Sequence, residues 1–211
     1  MTQGDGGQGL TAVVFDVGNV LVEWDPRHIY RDLFDGDELL MDDFLENVCS
    51  PAWNAEQDRG RSWAEGVALL TAQRPDCAEL IRIFDDCWSL SVPGEIEGSV
   101  DLLRRLKGQG TPVYALTNFS AEKYAETRAR FDFFDLFDGI VVSAHERLIK
   151  PDPALYRVLF DRYDLDPRRL AFIDDSPANV ATAKELGMTA WRFTSPDRFE
   201  AELIAAGLLT V

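Results

Sequence analysis

Short, uniformly apolar runs alternate along this chain with longer stretches whose apolar residues recur at helical spacing. Val13-Val14-Phe15 is apolar throughout and stops at Asp16, as a strand buried on both faces does. Runs of the same kind cover Val113–Leu116, Ile140–Val142 and Ala171–Ile173, with a shorter one near Ala190. Between them lie helical patterns: Val100, Leu103 and Leu106; a segment from about Ala121; Leu155, Val158 and Leu159; Val180 and Ala183; and a final helix from about Asp197. Strand and helix in alternation predict βαβ units, hence an α/β fold with a Rossmann-like parallel sheet and helices on both of its faces. The run Phe131–Phe137 alternates Phe with Asp and is expected to be an amphipathic packing segment.

The texture changes between Asp25 and about Ser91. This stretch is rich in charge and helix formers, carries Trp53, Trp63 and Trp88, and spaces Leu80, Ile83, Phe84 and Cys87 as a helix would. Val92-Pro93-Gly94 punctuates its end. The expected organisation is a catalytic core over 10–24 and 93–211, a small all-helical insertion over 25–92 after the first strand, and a flexible leader over 1–9.

Composition narrows the function. The 211 residues carry 21 Lys+Arg against 37 Asp+Glu, a formal charge of −16, and 46% are hydrophobic. Such a chain buries a real core but has no surplus of cations to neutralise a phosphate backbone, so neither nucleic acid nor an anionic membrane is an expected partner. A small anionic substrate remains possible, because one local cation or a metal can hold it. Cys49, Cys77 and Cys87 show no metal or redox spacing, and an odd number suits a reducing compartment. No apolar stretch approaches the ~20 residues of a membrane span, and the leader MTQGDGGQG lacks the basic and apolar regions of a signal peptide. A cytoplasmic monomer or homodimer is expected. His28 and His145 have no partner at a useful spacing.

Ligands of open parallel sheets bind beyond the carboxyl ends of the strands, and there the residues are chemical. The first strand delivers Asp16 and then Gly18, the second Thr117 and Asn118, the third leads to Lys150, and the fourth delivers Asp174 and Asp175. Three carboxylates, a hydroxyl and an ammonium are thus expected at one sheet edge. Downstream residues are available as helix caps: Ser120, Asp152 (before Pro153) and Ser176 (before Pro177). That leaves Thr117, Lys150, Asp174 and Asp175 free for other work.

The segments FDVGNVL, LTN, KPDP and IDDS, in this order and spacing, resemble the four motifs of the haloacid dehalogenase-like hydrolase superfamily, and the insertion resembles its helical cap. The likeness covers nearly all of the chain after the leader. Within the superfamily the DxGNV opening and Asp58-Arg59-Gly60 look most similar to glucose-1-phosphate phosphatase-like members, and more distantly to the phosphatase domain of soluble epoxide hydrolase. The resemblance implies Asp16 as nucleophile, attacking phosphorus to form an acyl phosphate. It implies Mg²⁺ held by Asp16, the Gly18 carbonyl, Asp174 and Asp175. Thr117 and the Asn118 amide would bind phosphoryl oxygens, and Lys150 would pair with Asp16 and the phosphate. Arg59 would touch a substrate hydroxyl or phosphate, and Asn179 would orient the acidic pair. Trp53 and Trp63 are expected in the core of the cap.

One position departs from the pattern. Most phosphatases of the superfamily carry a second Asp two residues after the nucleophile as general acid and base; this chain has Gly18. Proton transfer of that kind is worth roughly 10²–10⁴-fold, and Glu23, Asp25 or a cap residue such as Asp58 are candidates to replace it. The expected activity is a Mg²⁺-dependent phosphatase acting on a small phosphorylated metabolite, a sugar phosphate among the candidates. The alternatives are a 2-haloacid dehalogenase, whose halide needs no proton to leave, and a catalytically silent binding module that keeps the fold.

Overall fold

The structure, a computed structural model, describes residues 9–210. The leader expected over 1–9 lies outside the described residues, apart from Gly9. Five strands, β1 (Ala12–Phe15), β2 (Val113–Thr117), β3 (Gly139–Val142), β4 (Leu170–Asp174) and β5 (Thr189–Arg192), form one sheet in the order β3-β2-β1-β4-β5. Every pairing is parallel. β1 is central and buried along its whole length, which is why its sequence is apolar without alternation. Two strands run one residue further than their apolar texture predicts. Thr117 stays in the ladder opposite Val142, and Asp174 opposite Arg192, so these polar residues end buried strands instead of beginning loops.

Side chains of alternate parity divide between the two faces. Val13 and Phe15 pack with Leu103 and Leu106 of the helix Glu97–Gly108 and Phe199 and Leu203 of the helix Pro196–Ala205. Ala12 and Val14 pack with Leu155 and Leu159 of Pro153–Tyr163 and Val180 and Ala183 of Pro177–Glu185. Helices therefore cover both faces, as expected for an α/β sheet of this kind. Within the Phe131–Phe137 run, Phe133 and Phe134 are buried and stacked, with centroids 4.4 Å apart. No helix among the described residues is long and apolar enough to cross a membrane.

The insertion is a bundle of five helices: Arg27–Tyr30, Glu38–Asn47, Pro51–Asp58, Trp63–Gln73 and Ala78–Asp86. Its two connections to the sheet run side by side, with the Glu23 amide donating to the Gly94 carbonyl at 3.1 Å and that of Asp25 to Ser91 at 2.9 Å. Aromatic rings meeting edge to face build its core: Tyr30 with Phe44 at 5.0 Å, Trp53 with Trp63 at 5.5 Å, and Trp63 with Phe84 at 5.5 Å. In the helix Ala78–Asp86, Ile81 and Phe84 are the buried positions, while Leu80, Ile83 and Cys87 are half-buried against them. All three cysteines are unpaired thiols of this bundle, Cys49 fully buried.

The bundle is docked on the sheet domain by polar bonds. Trp63 donates Nε1–H to Ser120 Oγ at 2.8 Å and its backbone N–H to Glu122 at 3.1 Å. Lys123, 5% exposed, reaches Asp85 at 2.8 Å and lies over the rings of Trp63 and Trp88. Ser143 Oγ donates to the Asp58 carbonyl at 2.6 Å. Beside it Gly60 has φ +103°, and a Cβ there would stand 2.9 Å from the Ala144 carbonyl oxygen. Only glycine satisfies both the left-handed backbone and this close approach. Gly60→Ala should lower unfolding free energy by about 1–3 kcal/mol in urea titrations. Gly94→Ala, where a Cβ meets nothing within 4 Å, should change it by less than about 0.5 kcal/mol. Equal effects would mean that the Gly60 contact does not hold the bundle down.

Candidate active site

The strand order reverses direction around β1, which is joined to β2 on one side and β4 on the other, and the residues at their carboxyl ends converge there. Lys150 Nζ lies 2.9 Å from Asp16 Oδ1 and 2.7 Å from Asp174 Oδ2, and its side chain is fully buried. Burial pushes the Lys150 ammonium down, but the two carboxylates outweigh it and hold the group above the usual lysine value. Burial raises Asp16 to about 7, against the attraction of Lys150 and with added repulsion from Asp174. Asp175 is raised by burial and by the neighbouring Asp174. Negative charge thus exceeds what the single ammonium compensates.

Each member is held by its own partners. The Val17 amide donates to Asp16 Oδ1 at 2.7 Å. Asp174 Oδ1 accepts from the Ser176 amide at 2.8 Å and from Asn179 Nδ2 at 2.9 Å, and Asn179 also reaches Oδ2 at 3.0 Å. Asn118 clamps the backbone of Lys150, accepting from its N–H at 2.8 Å and donating to its carbonyl at 3.0 Å. That role of the Asn118 side chain has no local signal, since the two residues belong to different motifs. Two capping expectations are corrected here. Ser120 makes no side-chain cap, because its hydroxyl is taken by the Trp63 indole. Ser176 makes none either; Asp174 takes the Ser176 amide, so this carboxylate orders the start of its helix as well as holding Lys150. Asp152 caps as expected.

Two observations test whether the donors suit a divalent cation. Asp16, Asp174 and Asp175 each offer an oxygen within 4.8 Å of the others, a hard-donor set of the type Mg²⁺ prefers. The raised proton affinities of Asp16 and Asp175 show a surplus of negative charge that a cation would relieve. At the carboxyl end of β2, Thr117 Oγ1 is buried without any hydrogen-bond partner, a deficit of roughly 1–3 kcal/mol that an incoming phosphoryl oxygen would remove. The residues fit the group.

A cavity of about 240 Å³ opens on this cluster. Asp16, Gly18, Asn118, Asp175 and Asn179 line one part, and Asn54 and Asp58 from the cap line another. Much of the remaining wall is apolar: Val22, Trp24, Trp63, Trp88, Val92 and Phe119. Trp63 thus serves the cap core and the cavity together. Arg59 is not brought to the site: it is outside the cavity lining, 44% exposed at the side chain, and 3.7 Å from Glu56. Glu23 and Asp25 line, with His28, an adjoining hollow that meets the cavity at Asn19 and Trp24.

The sequence profile of haloacid dehalogenase-like hydrolases matches residues 10–187. The chain belongs to this family. A sesquiterpene phosphatase of Aspergillus oryzae, astK, is 30% identical over 185 residues, covering 87% of this chain and 89% of its own. A HAD-like family hydrolase from Porphyromonas gingivalis superposes with a TM-score of 0.72 at 21% identity, covering 94% of this chain and 98% of that one. A HAD family enzyme from Bacteroides thetaiotaomicron, solved in complex with magnesium and inorganic phosphate, gives a TM-score of 0.69 at 23% identity over 89% and 96% of the two chains. These two solved structures establish the fold.

The charge balance of this HAD-like site sets a pH dependence. Asp16 titrates near 7 in the folded chain against a usual 3.8, so its proton stabilises the fold fully below about pH 4. That contribution is lost as pH rises through 7. A cation binds the deprotonated form, so Mg²⁺ should raise Tm more at pH 8 than at pH 6, and EDTA should reverse the shift. Equal shifts at both pH values would remove Asp16 from the ion's shell.

Proposed function

We propose that this hydrolase is a Mg²⁺-dependent phosphatase that cleaves a small phosphorylated metabolite through an aspartyl phosphate on Asp16. The observation that carries the reading is the buried Lys150 ammonium bonded to Asp16 and Asp174, with Asp175 in the same oxygen cluster and a small cavity opening onto it. Lys150 offsets part of the burial that raises Asp16, and a bound cation would favour the Asp16 anion further. An Asp16 oxygen forms the bond to phosphorus while the bond from phosphorus to the leaving oxygen breaks. The unpartnered Thr117 hydroxyl and the Asn118 backbone amide receive the phosphoryl oxygens. Asp16, Asp175 and the Gly18 carbonyl, with Asp174 behind them, would hold Mg²⁺, which supplies charge neutralisation between nucleophile and substrate. The A. oryzae relative's description as a phosphatase and the magnesium and phosphate of the B. thetaiotaomicron enzyme support this reading.

The cavity wall favours an ester whose body is mostly carbon over a sugar phosphate. Outside the anionic cluster six apolar side chains, three of them tryptophans, line the cavity beside Asn19, Asn54, Asp58, Asn179 and a Ser120 hydroxyl already bonded to Trp63. A volume of about 240 Å³ lies below the ~300–1,000 Å³ of drug-sized sites, so the enclosed part of the substrate is small. The name of the sesquiterpene phosphatase points the same way.

p-Nitrophenyl phosphate should be hydrolysed with Mg²⁺ and not with EDTA, and Asp16→Asn should abolish turnover while circular dichroism stays unchanged. Metal-independent chloride release from 2-chloropropionate, with no phosphatase activity, would replace this reading by the dehalogenase one. Among natural-type esters, kcat/KM for prenyl or arylalkyl phosphates should exceed that for glucose 1-phosphate by at least about 10-fold. The reverse order would restore the sugar phosphate.

A further inference from the structure

Resting on the phosphatase reading, we infer that Asp58 of the cap is the general acid that protonates the leaving oxygen and the general base that activates the water in the second half-reaction. Gly18 leaves the usual donor position without a side chain, and a Cβ placed there would meet nothing within 4 Å. The proton must therefore come from elsewhere in the cavity. Its lining contains three carboxylates, Asp16, Asp58 and Asp175. Asp16 is the nucleophile and is bonded to Lys150; Asp175 belongs to the oxygen cluster that fits the cation. Glu23, Asp25 and His28 do not line the cavity but an adjoining hollow that meets it at Asn19 and Trp24, and His145 lines another. Asp58 is the remaining acid.

Its surroundings suit the task. Asp58 is half-buried, and a single side-chain bond, from Asn54 Nδ2 to Oδ2 at 3.1 Å, orients its carboxyl. It is the last residue of the helix Pro51–Asp58, where the negative end of the helix dipole opposes ionisation. Burial raises the group to about 7, partly offset by the Ser120 backbone amide, close to the value at which one carboxyl can both give and take a proton at neutral pH. Its backbone is fixed to the core by the Ser143 bond and by the close approach of Gly60 to Ala144.

In the first half-reaction the Asp58 proton moves to the leaving oxygen as the phosphorus bond to that oxygen breaks and the bond to Asp16 forms, releasing a neutral alcohol and leaving Asp58 anionic. In the second, Asp58 takes a proton from water as the water oxygen bonds to phosphorus and the bond from phosphorus to Asp16 breaks. Inorganic phosphate leaves, and both side chains return to their starting states.

The isosteric Asp58→Asn variant, with Mg²⁺ present, tests the role in rapid-mixing experiments. With p-nitrophenyl phosphate, whose leaving group needs no proton, the first step should persist and yield a burst of one nitrophenolate per enzyme, followed by turnover slowed about 10²–10⁴-fold. With 2-phenylethyl phosphate the first step itself should fall by that factor, without a burst. Adding Gly18→Asp to Asp58→Asn should recover alkyl-ester cleavage at least ten-fold. Undiminished turnover in Asp58→Asn, an equal fall in the first step for both esters, or no recovery in the double variant would each overturn the assignment. A wild-type enzyme that leaves both esters intact would overturn the phosphatase reading itself, whereas an active wild type with an equally active Asp58→Asn removes only the role of Asp58.

Discussion

Three ionisable side chains share a volume that water barely reaches: the Lys150 ammonium, with Asp16 on one side and Asp174 on the other. Removing Lys150 would leave two buried carboxylates without a counter-ion, and such unpaired charges cost several kcal/mol. The three come from segments far apart in sequence, so their encounter ties the loop after β1, the loop beyond β3 and the end of β4 to one geometry. The rest of the sheet edge serves that encounter. Asn118 grips the Lys150 backbone, Asn179 and the Ser176 amide orient Asp174, and the Val17 amide holds Asp16. The central position of β1 follows from the same demand, since the nucleophile must lie between the strands that supply its neighbours.

Much of this was legible in the sequence, for a physical reason. A parallel strand buried on both faces must be apolar throughout, so its end is marked by the first polar residue, and in this fold those residues stand together. Asp16, Asp174 and Asp175 could be placed at the sheet edge on that ground, whereas Lys150, well beyond the end of β3, stood out through the KPDP segment and its likeness to a family motif. The signal set the strand ends one residue short where a polar residue remained inside the ladder, as Thr117 and Asp174 do. It failed where a tertiary partner outbid a local one. Ser120 and Ser176 sit at helix starts and have the chemistry of caps, yet an indole from the cap takes one hydroxyl and a buried carboxylate takes the other residue's amide. Arg59 illustrates the opposite error: its neighbours in sequence reach the cavity or the core, but its own side chain turns toward Glu56.

The aromatic residues of the insertion carry two roles at once. Trp63 is packed among Trp53 and Phe84, bonded to the core through Ser120, and part of the cavity wall. A large ring with one polar tip can do all three, because its faces and edges are apolar while its N–H needs a single acceptor. The buried Lys123 is tolerated for a related reason: Asp85 and Glu126 neutralise it, and the faces of Trp63 and Trp88 surround it. Nothing in the helical pattern around Lys123 signals that it is buried.

Asp58 stands on the inserted bundle while the cluster it faces stands on the sheet, so the acids of one cavity are divided between two parts of the fold. The Trp63–Ser120, Lys123–Asp85 and Ser143–Asp58 bonds hold the two parts in register. Loss of any of these bonds would alter the reach of the Asp58 carboxyl without touching the anionic centre itself.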